Sequence, residues 1–272
     1  MSAVAAGWRR RRGRGLRRTL RLLALGWFFH MKMLSRSSFD SLLGVVYPMF
    51  FATTAFLMFR AGSDAKPLLY ASLGAAVMAI WSTTSTSAGN ALSRERWHGT
   101  LELLVAAPAH FALVILPVTI AMATVGIYSM AATLLWGRFV FGIDLQLEHP
   151  FAFVVAVPAT VVSVGALGFL FAVLFVRFRQ AWALGNMFEY PVWLVCGFLV
   201  PLSLFPSWVR PISWVLAPTW GIGGIRQAAL GGTPWDDVGL ALGLGAVYVT
   251  IGVLVVHRLL DAARRRATLS LT

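Results

Sequence analysis

The sequence predicts an all-α polytopic membrane protein, and three observations carry that prediction. Of the 272 residues 58% are hydrophobic and the mean hydropathy is +0.77, too apolar for a chain that must clothe a soluble core in polar side chains. The apolar residues fall into runs of roughly the twenty residues that a helix needs to cross a bilayer. The net charge of +13 is gathered beside those runs, so it orients the chain and argues against nucleic acid as a partner. Six spans follow, at about 41–59, 67–92, 111–136, 150–176, 181–202 and 237–256, inside a transmembrane domain of residues 39–258.

Residues 1–38 precede the first span. Met1 to Arg14, with five arginines, reads as a loose basic tail drawn to lipid headgroups. No short apolar core with a small-residue cleavage site comes before the first span, so this end is read as retained. Leu16, Leu20, Leu23, Trp27, Met31 and Leu34 then recur at intervals of three and four, with Arg17, Arg21 and Lys32 off the stripe, which predicts an amphipathic helix lying on the membrane surface. The first span closes at Arg60 and the turn-like AGSDAKP.

The second span has hydroxyls at Ser82, Thr83, Thr84, Ser85, Thr86 and Ser87, suited either to interhelical packing or to a polar translocation surface. After it comes SRERWHGTLELLVAAP, residues 93–108. At 100° per residue Trp97, Leu101, Leu104 and Val105 share one side while Glu95, His98 and Glu102 oppose them. Such a segment lies flat at the interface, either as a surface for docking another molecule or as a connector kept wet by its charges.

The third span has Pro117 near its beginning, and the fourth contains Gly165 and Gly168 and ends at RFRQ, residues 177–180. In the fifth, Glu189 places a carboxylate at membrane depth. That is a functional hypothesis by default, set against a hydrated group or a pairing with Arg177 or Arg179. Residues 204–234 are apolar but broken by Pro206, Pro211, Pro218, Gly221, Gly223 and Gly224. They read as two short helices that dip into the outer leaflet and return. After the sixth span, residues 259–272 form a basic tail. With both termini in the cytoplasm the inner segments hold 18 basic residues and the outer ones 5, the bias that sets orientation in a cell membrane.

Several chemistries find no support. The two lysines, Lys32 and Lys66, do not follow glycine, so no phosphate-binding loop is present. The five histidines lack paired metal-ligand spacing, and no glycine-framed serine appears. The single cysteine, Cys196, lies in an apolar run and allows no disulfide within the chain. No catalytic residue and no metal site are expected.

The segment ERWHGTLELLVAAP resembles the cytoplasmic signature of type-2 ATP-binding-cassette exporter permeases, an E-R-x-x-G-T-L-E pattern followed by a short apolar stretch and a proline. Here it is Glu95, Arg96, Gly99, Thr100, Leu101 and Glu102, closed by Pro108. FPSWVRPISWVLAPTWGIGGIR is similar to the family's outer re-entrant hairpin, with Phe205, Pro206, Trp208, Ile212, Pro218, Thr219 and Arg226 in order. The resemblance implies a permease that pairs with a second one, identical or related, above two separate ATPase subunits. Those subunits bind ATP and Mg, so no cofactor is expected on this chain. Residues 93–108 become the coupling helix, in which Glu95, Arg96, Trp97, His98, Gly99, Thr100 and Glu102 meet the ATPase. The 16–35 helix becomes the connecting helix. The transport path would run between the second and fifth spans, lined by Ser82, Thr83, Thr86, Phe188, Glu189, Trp193 and Phe198. The implied function is efflux of a lipophilic or amphipathic compound such as a drug, antibiotic or lipid. The alternative, from the residues themselves, is an ion-coupled carrier or channel using Glu189.

Overall fold

The computed structural model describes residues 2–34, 65–97, 111–175, 178 and 181–266, with 46, 49–50, 52–54 and 56–57 from the predicted first span. Eight α-helices and one 3-10 turn account for nearly all of these residues, and there is no strand among them. The helices are α1 (Ser2–Leu34), α2 (Ala65–Trp97), α3 (Ala112–Phe141), α4 (Pro150–Phe175), α5 (Ala181–Val195), α6 (Val209–Trp214), α7 (Ala217–Leu230) and α8 (Pro234–Arg266). Four of them, α2, α3, α4 and α8, are long and apolar enough to cross a membrane.

Helix α2 is the axis of the bundle. Every residue from 71 to 82 is buried, because the run ASLGAAVMAIWS is small or apolar on all sides and α3, α4, α5 and α7 pack around it. Small residues set the spacing. A side chain at Gly126 of α3 would come within 2.5 Å of the Ile80 Cα, and one at Gly165 of α4 within 2.8 Å of the Ile120 Cα. Between apolar helices in lipid, contact at this range supplies the dispersion that holds them together. The second, third, fourth and sixth predicted spans therefore correspond to α2, α3, α4 and α8. Most of the first lies outside the described residues. Its helical remnant packs on α3, where the Trp136 indole donates to Thr53 Oγ1 at 3.0 Å and Phe56 meets Phe141 edge-on at 5.0 Å.

Three expectations need correction. The predicted fifth span, 181–202, is a helix only to Val195. Gly197 takes a left-handed conformation (φ 69°), the Gly197 N–H donates to Leu194 O, and the Phe198 N–H to Trp193 O. That pair of bonds is the Schellman ending, and it stops α5 after 15 residues, about 22 Å. The chain from Met1 to Arg14 is helical from Ser2 rather than loose, since arginine is a good helix former and Gly13 and Gly15 do not break the run. The tail predicted from residue 259 continues α8 as far as Arg266.

Helix α1 packs on α3 through the predicted stripe: Leu23, Trp27, Met31 and Leu34 turn inward, Gly26 meets the Pro117 ring, and the Trp27 indole donates to Thr124 Oγ1 at 3.0 Å. Leu20 is the exception, facing outward. We expect Gly126→Val to destabilise the bundle by about 1–3 kcal/mol, the usual range for overpacking, because the clash is with backbone. Gly239→Ala, where nothing lies within 4 Å, should be neutral or slightly stabilising. Thermal unfolding of the two variants in detergent checks the contrast.

Candidate functional site

The signature residues stand at the end of the axial helix. α2 runs without interruption through Glu95, Arg96 and Trp97, so the first five residues of the predicted interfacial segment continue the span that precedes them. His98, Gly99, Thr100, Glu102 and the remainder to His110 lie outside the described residues. The next described residues are Phe111 and Ala112, where α3 begins. The end of α4 and the start of α5 lie at this same end of the bundle, since α2 and α4 run toward it while α3 and α5 run away.

Helices α2 and α5 meet along a seam with a polar centre. Glu189 is 5% exposed, and its Oε1 accepts a hydrogen bond of 2.5 Å from Ser82 Oγ. One residue back, the Trp81 indole donates to the Glu189 carbonyl at 3.3 Å. The neighbouring hydroxyls serve their own helix: Thr83, Thr84 and Thr86 return hydrogen bonds to carbonyls three or four residues earlier. Ser85 Oγ is buried with no partner. Of the seven residues predicted to line a path, Ser82 and Glu189 meet at this seam, while Thr83 faces Gly126 of α3. Trp193 and Phe198 are core residues of this chain, whereas Phe188 is 37% exposed and stacks on Phe171 and Phe175. Arg177 and Arg179, the partners weighed for Glu189, lie outside the described residues.

Beyond α5 the chain folds as two helices, α6 of 6 residues and α7 of 14, neither long enough to cross. Phe205, Pro206 and Trp208 lead into α6, with Pro206 and Trp208 exposed, and Pro218 occupies the first turn of α7, where its missing N–H costs nothing. The turn between them is held by Tyr248 of α8, whose hydroxyl donates to Val215 O and accepts the Ala217 N–H at 3.0 Å. Tyr248 is 14 residues from the start of α8, so it meets the turn about 21 Å along that helix. At the other end of α7, the N–H groups of Glu148 and His149 bond Ala229 O and Ala228 O.

Arg226 joins these parts. It lies on α7 and is 8% exposed. Nη1 donates to Gly197 O at 2.9 Å, and Nη2 donates to Phe198 O and, at 3.3 Å, to Tyr70 O. Its guanidinium carbon stands 3.3 Å from the centre of the Tyr70 ring. A side chain at Gly74 would overlap the Phe198 carbonyl, so that glycine lets α2 and the end of α5 come close enough for one arginine to span both. Sequence reasoning placed Arg226 in the hairpin and counted it among exterior charges. It missed Arg226 as a cap, and it missed Tyr248 altogether. The available signal was a single arginine within the apolar stretch GIGGIRQAAL.

The model of the family described as ABC-2 type transporter matches residues 21–230. The chain belongs to that family. An ABC-2 type transporter domain is a membrane-embedded transport subunit, not itself catalytic, of a kind that works with ATPase subunits. The match begins within α1 and ends with α7, so it takes in the α2 axis, the signature segment and the two short helices. No curated protein matches the chain.

Arg226→Met leaves the carbonyls of Gly197 and Phe198 without their charged donor, at about 1.5–3 kcal/mol for each such bond lost. We expect a thermal midpoint lower by about 10 °C, at a few degrees per kcal/mol. Arg226→Lys, with one ammonium for two carbonyls, should recover part of the loss.

Proposed function

We propose that the chain is the permease subunit of an ATP-binding-cassette exporter of a lipophilic or amphipathic compound. It would pair with a second permease, identical or related, over two separate ATPase subunits that bind ATP and Mg, with both termini in the cytoplasm of the cell. The observation that carries this reading is the continuity of α2: the family signature starts on the last turn of the helix around which the bundle is packed.

A docked ATPase that moves residues 95–102 moves a rod of 33 residues, about 50 Å long. That rod touches α5 through the Ser82–Glu189 bond at one level and through Arg226 at another, so displacement at the signature reaches the seam directly. In a coupling helix Gly99, which lies outside the described residues, would mark close backbone approach or a kink, because glycine within a helix otherwise costs about 1 kcal/mol relative to alanine. Efflux of an apolar cargo suits a chain in which, among the described residues, eight join α3 to α4 and three join α7 to α8 at the far end. The rival reading, an ion-coupled carrier, has the buried Glu189 carboxylate in its favour.

Energy source separates the two. Co-expressed with its ATPase, the parent chain should co-purify as a four-subunit particle. Glu95→Lys should lower ATPase recovery tenfold or more, and Gly99→Trp should insert normally but not transport. Recovery unaffected by Glu95→Lys together with normal export by Gly99→Trp would remove the docking role. Transport that persists without ATP and collapses with the proton gradient would establish the carrier instead.

A further inference from the structure

We propose that Glu189 and the aromatic rings beside it form the recognition site for the charged head of a lipophilic organic cation. The inference rests on the permease reading and names the chemical class of its cargo.

The first argument is the charge itself. A carboxylate inside the bundle is costly in apolar surroundings, and accepting one hydrogen bond from Ser82 does not require it, since glutamine offers the same carbonyl oxygen. That bond occupies Oε1. An ionisable group kept where an amide would serve the packing is suited to a positive partner, which would favour its charged form.

The second argument is what surrounds it. The Trp81 indole, fixed on the Glu189 carbonyl, meets Phe171 edge-on at 5.9 Å. Phe171, Phe175 and Phe188 close a triangle with ring centres 5.4, 5.5 and 6.0 Å apart. The four rings come from α2, α4 and α5, so they form a wall built by the tertiary fold and not by one helix face. Aromatic faces attract organic cations, and the attraction grows where water is excluded. The cluster reaches the surface at Phe188, and the preceding residue on α5, Met187, is exposed as well. Methionine next to aromatic rings tolerates hydrophobes of varied shape.

The third argument is position. Glu189 is eight residues into α5, about 12 Å from its start, and Phe175 is the last residue of α4. The cluster therefore lies in the half of the bundle that bears the signature, which in the proposed orientation is the cytoplasmic leaflet. Amphipathic cations gather there, attracted by anionic headgroups. When α2 shifts, the Ser82 bond is what a cation would replace. Anionic or neutral amphiphiles would leave the carboxylate unpaired in an apolar site, which selects against them.

The test is equilibrium binding of radiolabelled tetraphenylphosphonium, a permanently charged cation without hydrogen-bond donors, to the purified permease in phosphatidylcholine nanodiscs. The parent should bind saturably. Glu189→Gln should weaken binding at least tenfold, Glu189→Asp should recover most of it, and Phe188→Ala should weaken it several-fold. Ser82→Ala frees the carboxylate and should leave binding equal or tighter, whereas a purely structural seam would lose it. Equal binding by Glu189→Gln, lost binding in Ser82→Ala, or no saturable binding by the parent overturns the inference. A parent that recovers its ATPase but binds no cation refutes the cargo class and leaves the permease reading intact. Binding without any ATPase association supports the site and refutes the permease reading.

Discussion

A helix that stops within apolar surroundings leaves carbonyl groups where no water can reach them, and α5 is such a helix. At about 22 Å, α5 is shorter than the roughly 30 Å of a bilayer's apolar layer. Its last turn is closed by the Schellman bonds at Gly197 and Phe198, and the carbonyls of those two residues are then taken by Arg226. Because hydrocarbon leaves unpaired backbone groups so unfavourable, the position of Arg226 is dictated. So are the features that bring it there: the 14-residue α7, the turn anchored on Tyr248, and the glycine at 74 that admits the Phe198 carbonyl.

The consequence for mechanism is an asymmetry along α5. Its far end is tied to α2 and α7 by a charged group making three hydrogen bonds and a ring contact, while its middle, among the described residues, is held to α2 by the Ser82 hydrogen bond to Glu189 and the Trp81 bond to the Glu189 carbonyl. Under the proposed function, force arriving along α2 works against the weaker attachment first. The seam then opens at Glu189 and hinges near Arg226. Cargo recognition and force transmission thereby share one carboxylate.

Much of this was legible in the sequence. The apolar runs located α2, α3, α4 and α8, because long uniform segments dominate any average over twenty residues. The stripe at Leu23, Trp27, Met31 and Leu34 identified the face of α1 that packs on α3. Proline and glycine spacing in residues 204–234 ruled out a single span there, and two short helices stand in its place. The end of α5 was not legible, since the stretch YPVWLVCGFLV that follows Glu189 is apolar throughout and only Gly197 marks the left-handed residue that stops it. Nor was the environment of Glu189. Ser82 is 107 positions away in sequence, and no local pattern distinguishes it from Thr83 or Thr86, which bond their own helix. Arg226 was misjudged for a related reason: a charge near a predicted loop reads as exterior until the carbonyls it satisfies are known.

Whether ATP opens the α2–α5 seam is the question on which the account turns. Ser85 is buried next to that seam, and its hydroxyl has no partner, so a thiol there changes little. In a Cys196→Ala background, the rate at which Ser85→Cys reacts with a small maleimide can be measured in the assembled complex, first without nucleotide and then trapped with ATP. The account predicts slow labelling at rest and at least tenfold faster labelling in the ATP-bound state. Equal rates in the two states would contradict it.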